Sequence, residues 1–347
     1  MKLFEYIDKE LFLEMVALDY IKVVEHPSGN GYRVINYTKE CQAAQMWNDT
    51  TIKCRGIIVD DNDNIIARPF QKFFNYEEYT NPNDIKSTSS FKVYEKLDGT
   101  LGILYWIDNT PYIATKGSFD GPQAVHATNI LHTKYKDIYH TLNRNYTYLF
   151  EIIYPKDTHC VKYGGVDDIF LLAILHTEYE TLELDPNILN ETFNVVKQYD
   201  GVEDWKTIRE IFDGYNREGF VIKFDNNFRL KLKYEEYKRL YFLKTGFTEK
   251  HIIELIRNDE YDVIEETLTL FDEEQLPYYI SIIDNVKNTY KEIETISLNE
   301  YRDDFETDKD AALYFKTCTY PHILFYKRKG YDYKQLIWKY TINKLKK

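Results

Sequence analysis

Lys96 stands in the stretch YEKLDGT (94–100), just ahead of an Asp-Gly pair, with apolar runs on both sides: FKVYE (91–95) and LGILYWI (101–107). Alone, a K-x-D-G tetrad also fits a hairpin turn with a surface lysine. Other charges stand in equally unlikely places. Glu151 lies inside the apolar run TYLFEII (147–153), Glu218 immediately precedes GFVIKF (219–224), and Lys223 lies within that run. In FRLKLK (228–233), Arg229, Lys231 and Lys233 alternate with Leu230 and Leu232, so a strand there carries its cations on one face. A charge on a half-buried strand is costly unless it is paired or binds something. Several acids and bases on strands, with a lysine at a glycine turn, point to a site for a polyanion and a metal.

The elements that must position these groups are short β-type runs. RGIIV (55–59), NIIARPF (64–70), PYIAT (111–115) and DIFLLAIL (168–175) join those above. Their uneven spacing, with helices expected near 2–18, 121–143 and 187–213, predicts an α+β fold of antiparallel sheets. After about residue 245 the character changes. TEKHIIELIRND reads as a helix with Thr248 as its N-cap. Tyr279, Ile283, Val286, Tyr290 and Ile293 recur at helical spacing and form one apolar face, best read as packing within its own domain. The division expected is a catalytic domain over 1–244 and a small all-α domain over 245–347. Residues 249–310 are rich in Asp and Glu, whereas the last 21 residues carry eight Lys/Arg against one Asp. Such a tail is either a solvated helix face or a contact to a phosphate backbone.

Bulk properties narrow the class. With 347 residues and 16% aromatics, the chain has enough apolar material for a substantial core, and global disorder is excluded. The net charge of -13 argues against a general nucleic-acid coat protein, but a nucleic-acid enzyme needs only a local basic patch. Cys41, Cys54, Cys160 and Cys318 form no C-x-x-C and read as reduced thiols, and the eight histidines show no zinc-site spacing. The N-terminal stretch carries acids within its apolar run, unlike a signal peptide, and no window is long and apolar enough to span a membrane. A soluble, cytoplasmic, monomeric protein is the expectation.

KLDG (96–99), FEII (150–153), EGFVIK (218–223) and KLK (231–233) stand in the order of the motifs of the covalent nucleotidyltransferases, the superfamily of DNA ligases, RNA ligases and mRNA capping enzymes. GYRVINY (31–37), KCRGIIVD (53–60), ARPFQKFFN (67–75) and TKGS (115–118) narrow this: the chain resembles the ATP-dependent RNA ligase 1 family of the phage T4 type over about residues 30–240. Two departures are small. Leu97 stands where Glu or Ile is usual, and Thr100 where serine is frequent. The helical C-terminal region fits the same family better than the β-rich OB-fold that follows the catalytic domain of DNA ligases.

The resemblance implies a nucleotidyltransferase domain with an all-α companion, and it implies roles. Lys96 attacks the α-phosphorus of ATP and carries AMP. Glu151, Glu218, Lys231 and Lys233 complete the catalytic set, with the two lysines helping to depress the pKa of Lys96. Asp98, Glu151 and Glu218 hold Mg²⁺, for which Mn²⁺ substitutes. Tyr37, Arg55, Lys72, Glu95 and Lys116 join Lys96 and the catalytic groups in binding the nucleotide, and Tyr237 serves the RNA end. The implied substrates are RNA 5′-phosphate and 3′-hydroxyl ends, among them cleaved tRNA, with a polynucleotide kinase/phosphatase as working partner. The rival readings are a GTP-dependent capping guanylyltransferase and a non-catalytic RNA-binding protein with a nucleotide pocket.

Overall fold

The computed structural model describes residues 1–88, 90–157 and 159–346. The chain divides into two compact units, Met1–Lys238 and Arg239–Lys347. The division falls inside the helix Glu235–Gly246, ahead of the boundary at 244 expected from composition. That helix runs through the transition unbroken, so the change of character in the sequence lags behind the change of unit.

The first unit is built from three sheets. β1 (Ile21–Glu25), β2 (Arg33–Tyr37), β3 (Arg55–Val59) and β4 (Ile65–Ala67) pair in sequence order, antiparallel. β5 (Phe91–Lys96) belongs to a separate sheet, while β6 (Thr100–Ile107), β7 (Thr110–Thr115), β8 (Tyr146–Ile153), β9 (Asp168–His176) and β10 (Glu183–Leu184) make the second, in the order β10-β9-β8-β6-β7. β11 (Asn194–Val195) adds to β9 in parallel. β12 (Gln198–Tyr199), β13 (Gly219–Phe224) and β14 (Arg229–Lys233) complete the third sheet, in the order β12-β5-β13-β14.

The second sheet is covered on both faces, which explains its near-continuous apolar runs. Ile103, Tyr105, Leu149 and Ala173 pack with Val34 and Ile58 of the first sheet. Leu104, Trp106, Phe150 and Ile152 pack on the other side with Ala127 and Leu131 of the helix Pro122–Thr133. The third sheet is two-faced. Val93, Phe220, Ile222, Leu230 and Leu232 are buried in its own core with Trp205 and Tyr237. The alternate residues, Tyr94, Lys96, Val221, Lys223, Arg229 and Lys231, line a cavity. The strict alternation in FRLKLK is therefore a division between core and cavity.

Some expectations are corrected. Residues 187–213 are not a helix: they form 3-10 turns, the edge strands β11 and β12, and one short helix, Ile208–Ile211. Pairing of Val195 with Leu171 and of Tyr199 with Val93 outweighs the weak helical pattern. The segment 2–18 is two helices, Leu3–Tyr6 and Lys9–Ala17, the second capped by Asp8, which accepts from the Leu11 N–H at 2.7 Å. β4 ends at Ala67, before Pro69, and residues 68–74 form a loop without regular secondary structure.

The second unit is helical: Glu249–Arg257, Tyr261–Leu268, Leu276–Glu300, Asp308–Phe315, Pro321–Arg328 and Lys334–Leu345 follow the helix that enters it. Thr248 caps Glu249–Arg257, as its sequence predicts. The apolar stripe of the long helix is internal, with Ile283 and Val286 packed beside Ile252, Leu255 and Trp338, and Ile293 beside Ile323 and Ile337. Among the described residues no helix is long and apolar enough to cross a membrane.

Candidate active site

The site grows from one row of backbone pairing. Lys96, the last residue of β5, lies opposite Gly219 of β13, and Gly219 lies opposite Lys233 of β14. Directly paired residues project to the same face of a sheet, so the two lysines flank a position without a side chain. Glu218, one residue earlier, fills the gap: Lys96 Nζ donates to its Oε2 and Lys233 Nζ pairs with its Oε1, both at 2.7 Å. Gly219 is obligatory here. Its φ is +146°, and a Cβ would sit 2.0 Å from the Leu232 carbonyl oxygen.

Glu151 reaches the cavity from the second sheet. It pairs with Leu101 and Phe170 and projects to the same face as Leu149. Gly99 makes room for it, since a Cβ there would lie 2.7 Å from Glu151 Cγ and 2.6 Å from the Ile152 carbonyl oxygen. The first sheet supplies Arg55 at the start of β3, and the turn after β7 supplies Lys116; both line the same cavity, of about 330 Å³. The 68–74 loop closes it. Lys72 N–H donates to the Ile52 carbonyl at 2.8 Å, and Lys231 N–H donates to the Phe74 carbonyl at 3.0 Å.

The electrostatics are those of a site built for an anion. The Lys231 ammonium is held well below the usual lysine pKa by burial, then by Lys96, Arg55, Lys72 and Lys233. Burial lowers Lys72, with Arg55 and Lys116 adding to the effect against Tyr37 and Glu78. Burial and then Arg55 lower Lys116. Arg55 Nη1 is buried with no hydrogen-bond partner among the described residues. Lys72 lies over Trp47 and Phe74, each 5.0 Å from the ring centre, and over Tyr37 at 5.9 Å, while Lys116 lies 5.4 Å from the Tyr37 ring. Tyr37 thus stands behind the cations, and Glu95 borders the cavity beside Lys96. Glu151 is pushed up to about 7 by burial and by Glu218, against the opposing pull of Lys96, His159 and Arg55.

Three expectations fail on this geometry. Lys96 is not depressed. Burial works to lower its pKa, but Glu218, Glu151, the hydrogen bond that Lys96 donates to Glu218 and then Asp98 raise it overall, so three carboxylates outweigh burial. The three-carboxylate metal site is not formed. Among the described residues no group of three His, Cys, Asp or Glu side chains converges for a metal. Glu218 is taken by two lysines, and Asp98 is buried under a loop, its Oδ2 accepting from the Cys160 and Val161 N–H groups at 2.8 and 3.0 Å. Tyr237, expected at the RNA end, is also buried, and its hydroxyl donates to Asp98 Oδ1 at 2.8 Å. It braces Asp98 from the core side.

Sequence reasoning missed that loop. His159 lies with Nε2 3.1 Å from Asp157 Oδ2 and Nδ1 3.6 Å from Asp98 Oδ1, and Asp157 also accepts from Thr100 Oγ1 at 2.8 Å. The Tyr163 hydroxyl accepts from the Asp98 N–H at 2.7 Å. The signal available was position alone: YPKDTHCVKY follows directly on the strand of Glu151. Trp47 and Phe73 were missed as well; Phe73 lies 4.7 Å from Lys231 Nζ.

This arrangement of sheets is the nucleotidyltransferase fold of ATP-dependent ligases. A solved structure of an Aquifex aeolicus protein assigned as an ATP-dependent DNA ligase matches 90% of this chain and 88% of its own, with a TM-score of 0.50 at 17% identity, which establishes the fold alone. A mutant Naegleria gruberi RNA ligase with ATP and Mn matches 50% of this chain and 59% of its own at 22% identity, with a TM-score of 0.41. An RNA ligase of Rhodothermus phage RM378 is 25% identical over a match 292 residues long; the match spans 61% of this chain and 65% of the phage protein, just under two thirds of that relative. The model of the T4-type family described as RNA ligase matches residues 53–238, more than half of the chain. The chain belongs to the T4-type RNA ligase family.

Proposed function

We propose that this protein is an ATP-dependent RNA ligase that joins 5′-phosphate and 3′-hydroxyl RNA ends through a lysyl-AMP intermediate. The observation that carries the reading is the convergence on one cavity of Lys96 and three further cations from three different strands and turns: Arg55, Lys116 and Lys231. Depressed lysines, and a guanidinium with one buried nitrogen lacking a partner among the described residues, are stabilised by a bound polyanion such as a nucleoside triphosphate.

In the first step Lys96 Nζ attacks the α-phosphorus, a nitrogen–phosphorus bond forms, and the bond to the β-phosphate oxygen breaks to release pyrophosphate. The ammonium must lose a proton, and Glu218, in contact at 2.7 Å, is placed to take it. Lys231 and Lys233 stabilise the α-phosphate as charge moves to the leaving group, while Arg55, Lys72 and Lys116, backed by Tyr37, hold the outer phosphates. Glu95 borders the nucleotide beside Lys96. In the second step an oxygen of the RNA 5′-phosphate attacks the AMP phosphorus and Lys96 departs, reprotonated. In the third, the 3′-hydroxyl attacks the activated 5′-phosphate and AMP leaves.

A divalent cation would neutralise phosphate charge. Magnesium keeps several waters and takes few carboxylates, so Glu151, a cavity carboxylate near Lys96, is the side chain that would hold it, together with the nucleotide. RNA repair in the host cytoplasm, including rejoining of cut tRNA after end-healing by a kinase/phosphatase, is the task this chemistry suits, with the basic C-terminal tail as an RNA contact.

The test is incubation with a divalent cation and α-labelled ATP or GTP, followed by a denaturing gel. Label from ATP retained on the wild type and absent from Lys96→Ala is expected. A Lys96→Ala protein that still forms the adduct, or label from GTP alone, overturns the reading.

A further inference from the structure

The cavity that begins at Lys96 ends at a second cluster of charge. Lys223 of β13 and Arg229 of β14 are paired with each other in register, opposite Lys92 of β5, two rows of side chains away from Lys96. Four residues of strand separate the rows, about 13 Å. Glu183, at the start of β10, comes in from the second sheet. Its carboxylate pairs with Lys223 Nζ at 3.0 Å and with the Arg229 guanidinium, and its side chain is only 6% exposed. Glu183, Lys223 and Arg229 all line the cavity.

Between the two charged ends both sheets contribute apolar walls: Val221, in register with Tyr94 and Lys231, on one side, and Leu101 and Leu172 on the other. One end is cationic, the middle is largely apolar with Lys231 at its β14 edge, and the far end holds a buried carboxylate with two cations. That sequence matches phosphate, sugar and base along a nucleotide. A latch between sheets does not need this chemistry, because a buried ion cluster is no more stabilising than an apolar contact of the same size. A carboxylate has about four acceptor positions, and the two cations leave capacity for a further donor.

We propose that Glu183 is the base-reading residue of the nucleotide site: its carboxylate accepts from the exocyclic amine of adenine, and Lys223 donates to the ring nitrogen beside that amine. Arg229 positions Glu183, with its own guanidinium 4.5 Å from the Phe70 ring. This rests on the ligase reading, since it assigns the far end of the same cavity.

The experiment measures kcat/KM for lysyl-nucleotide formation, by pyrophosphate release, with ATP and with purine riboside triphosphate, which lacks the amine. The wild type is expected to prefer ATP roughly ten- to a hundredfold, the effect of one hydrogen bond to a charged acceptor. In Glu183→Met the preference collapses, with ATP falling to the level of the analogue. In Lys223→Met the preference for the amine persists, while 1-deaza-ATP, which lacks the ring nitrogen, is no longer discriminated. Equal use of ATP and the analogue by the wild type overturns the proposal whether or not the variants fold. So does an equal loss with both nucleotides in Glu183→Met, which makes Glu183 a latch, and so does a preference for GTP. Capture of ATP shows in each case that the ligase reading stands; capture of no nucleotide overturns both.

Discussion

Replacing Glu151 by glutamine should stabilise the protein at alkaline pH and disable it. The folded Glu151 carboxyl ionises near 7, against an ordinary value of 4.5, because burial and Glu218 disfavour its charge more than Lys96, His159 and Arg55 favour it. Between those values the folded chain holds a proton that the unfolded chain has released, so stability falls as pH rises through this window. The full effect is about 3 kcal/mol, and about 2–3 kcal/mol of it falls between pH 5 and pH 8. A glutamine stays neutral throughout and escapes the loss. Urea denaturation of wild type and Glu151→Gln at both pH values, followed by tryptophan fluorescence, measures the difference. Three of the four tryptophans lie in the unit that holds Glu151. Relative to wild type, the variant should gain about 2–3 kcal/mol on going from pH 5 to pH 8. AMP capture by the wild type should rise through pH 7 as the carboxylate forms, and Glu151→Gln should be slow at every pH. A variant whose stability relative to wild type is unchanged or lower at pH 8 refutes the electrostatic reasoning.

Tyr237→Phe removes only the hydroxyl that donates to Asp98. It should cost about 1–3 kcal/mol of stability and leave the KM for RNA ends unchanged; a stable variant with weakened RNA binding restores Tyr237 to the substrate. Gly219→Ala should separate β13 from β14, because its Cβ has no space beside the Leu232 carbonyl. A large drop in melting temperature with loss of AMP capture is expected, and a variant that melts and reacts like wild type contradicts the row of Lys96, Gly219 and Lys233.

The groups that alternation reveals were legible from the residues. The alternation of FRLKLK puts Lys231 on the opposite face from Leu230 and Leu232, and in the fold those faces are the cavity and the core. Glu151 was legible for the complementary reason, a charge inside an apolar strand. Period and burial are local properties, and a sequence states them directly. The loop over Asp98 was not legible, because its logic is backbone N–H groups of Cys160 and Val161 turned inward, and these carry no residue signature. The helix expected over 187–213 failed for a related reason. Two-residue edge strands such as β11 and β12 are specified by the partners they find and scarcely by their own composition.

The charge state of Lys96 shows where sequence reasoning about chemistry breaks down. Lys231 and Lys233 lie on β14 near Lys96, and cations near a lysine depress its pKa. What decides the outcome is which charges touch. The register of β13 puts Glu218 between Lys96 and Lys233, so Lys233 spends its charge on the same carboxylate that raises Lys96. Lys231, one row away, receives the depression instead. On the proposed reading, the nucleophile is a charged lysine beside the carboxylate that would accept its proton, and Lys231, Lys72 and Lys116 are the groups that would meet the phosphates. Binding of a polyanion relieves Lys231, Lys72 and Lys116 together. The contact between Lys96 and Glu218 raises the pKa of Lys96 and lowers that of Glu218, so moving a proton between them is uphill before reaction; on the proposed reading the proton passes over the 2.7 Å to Glu218 only as the nitrogen–phosphorus bond forms.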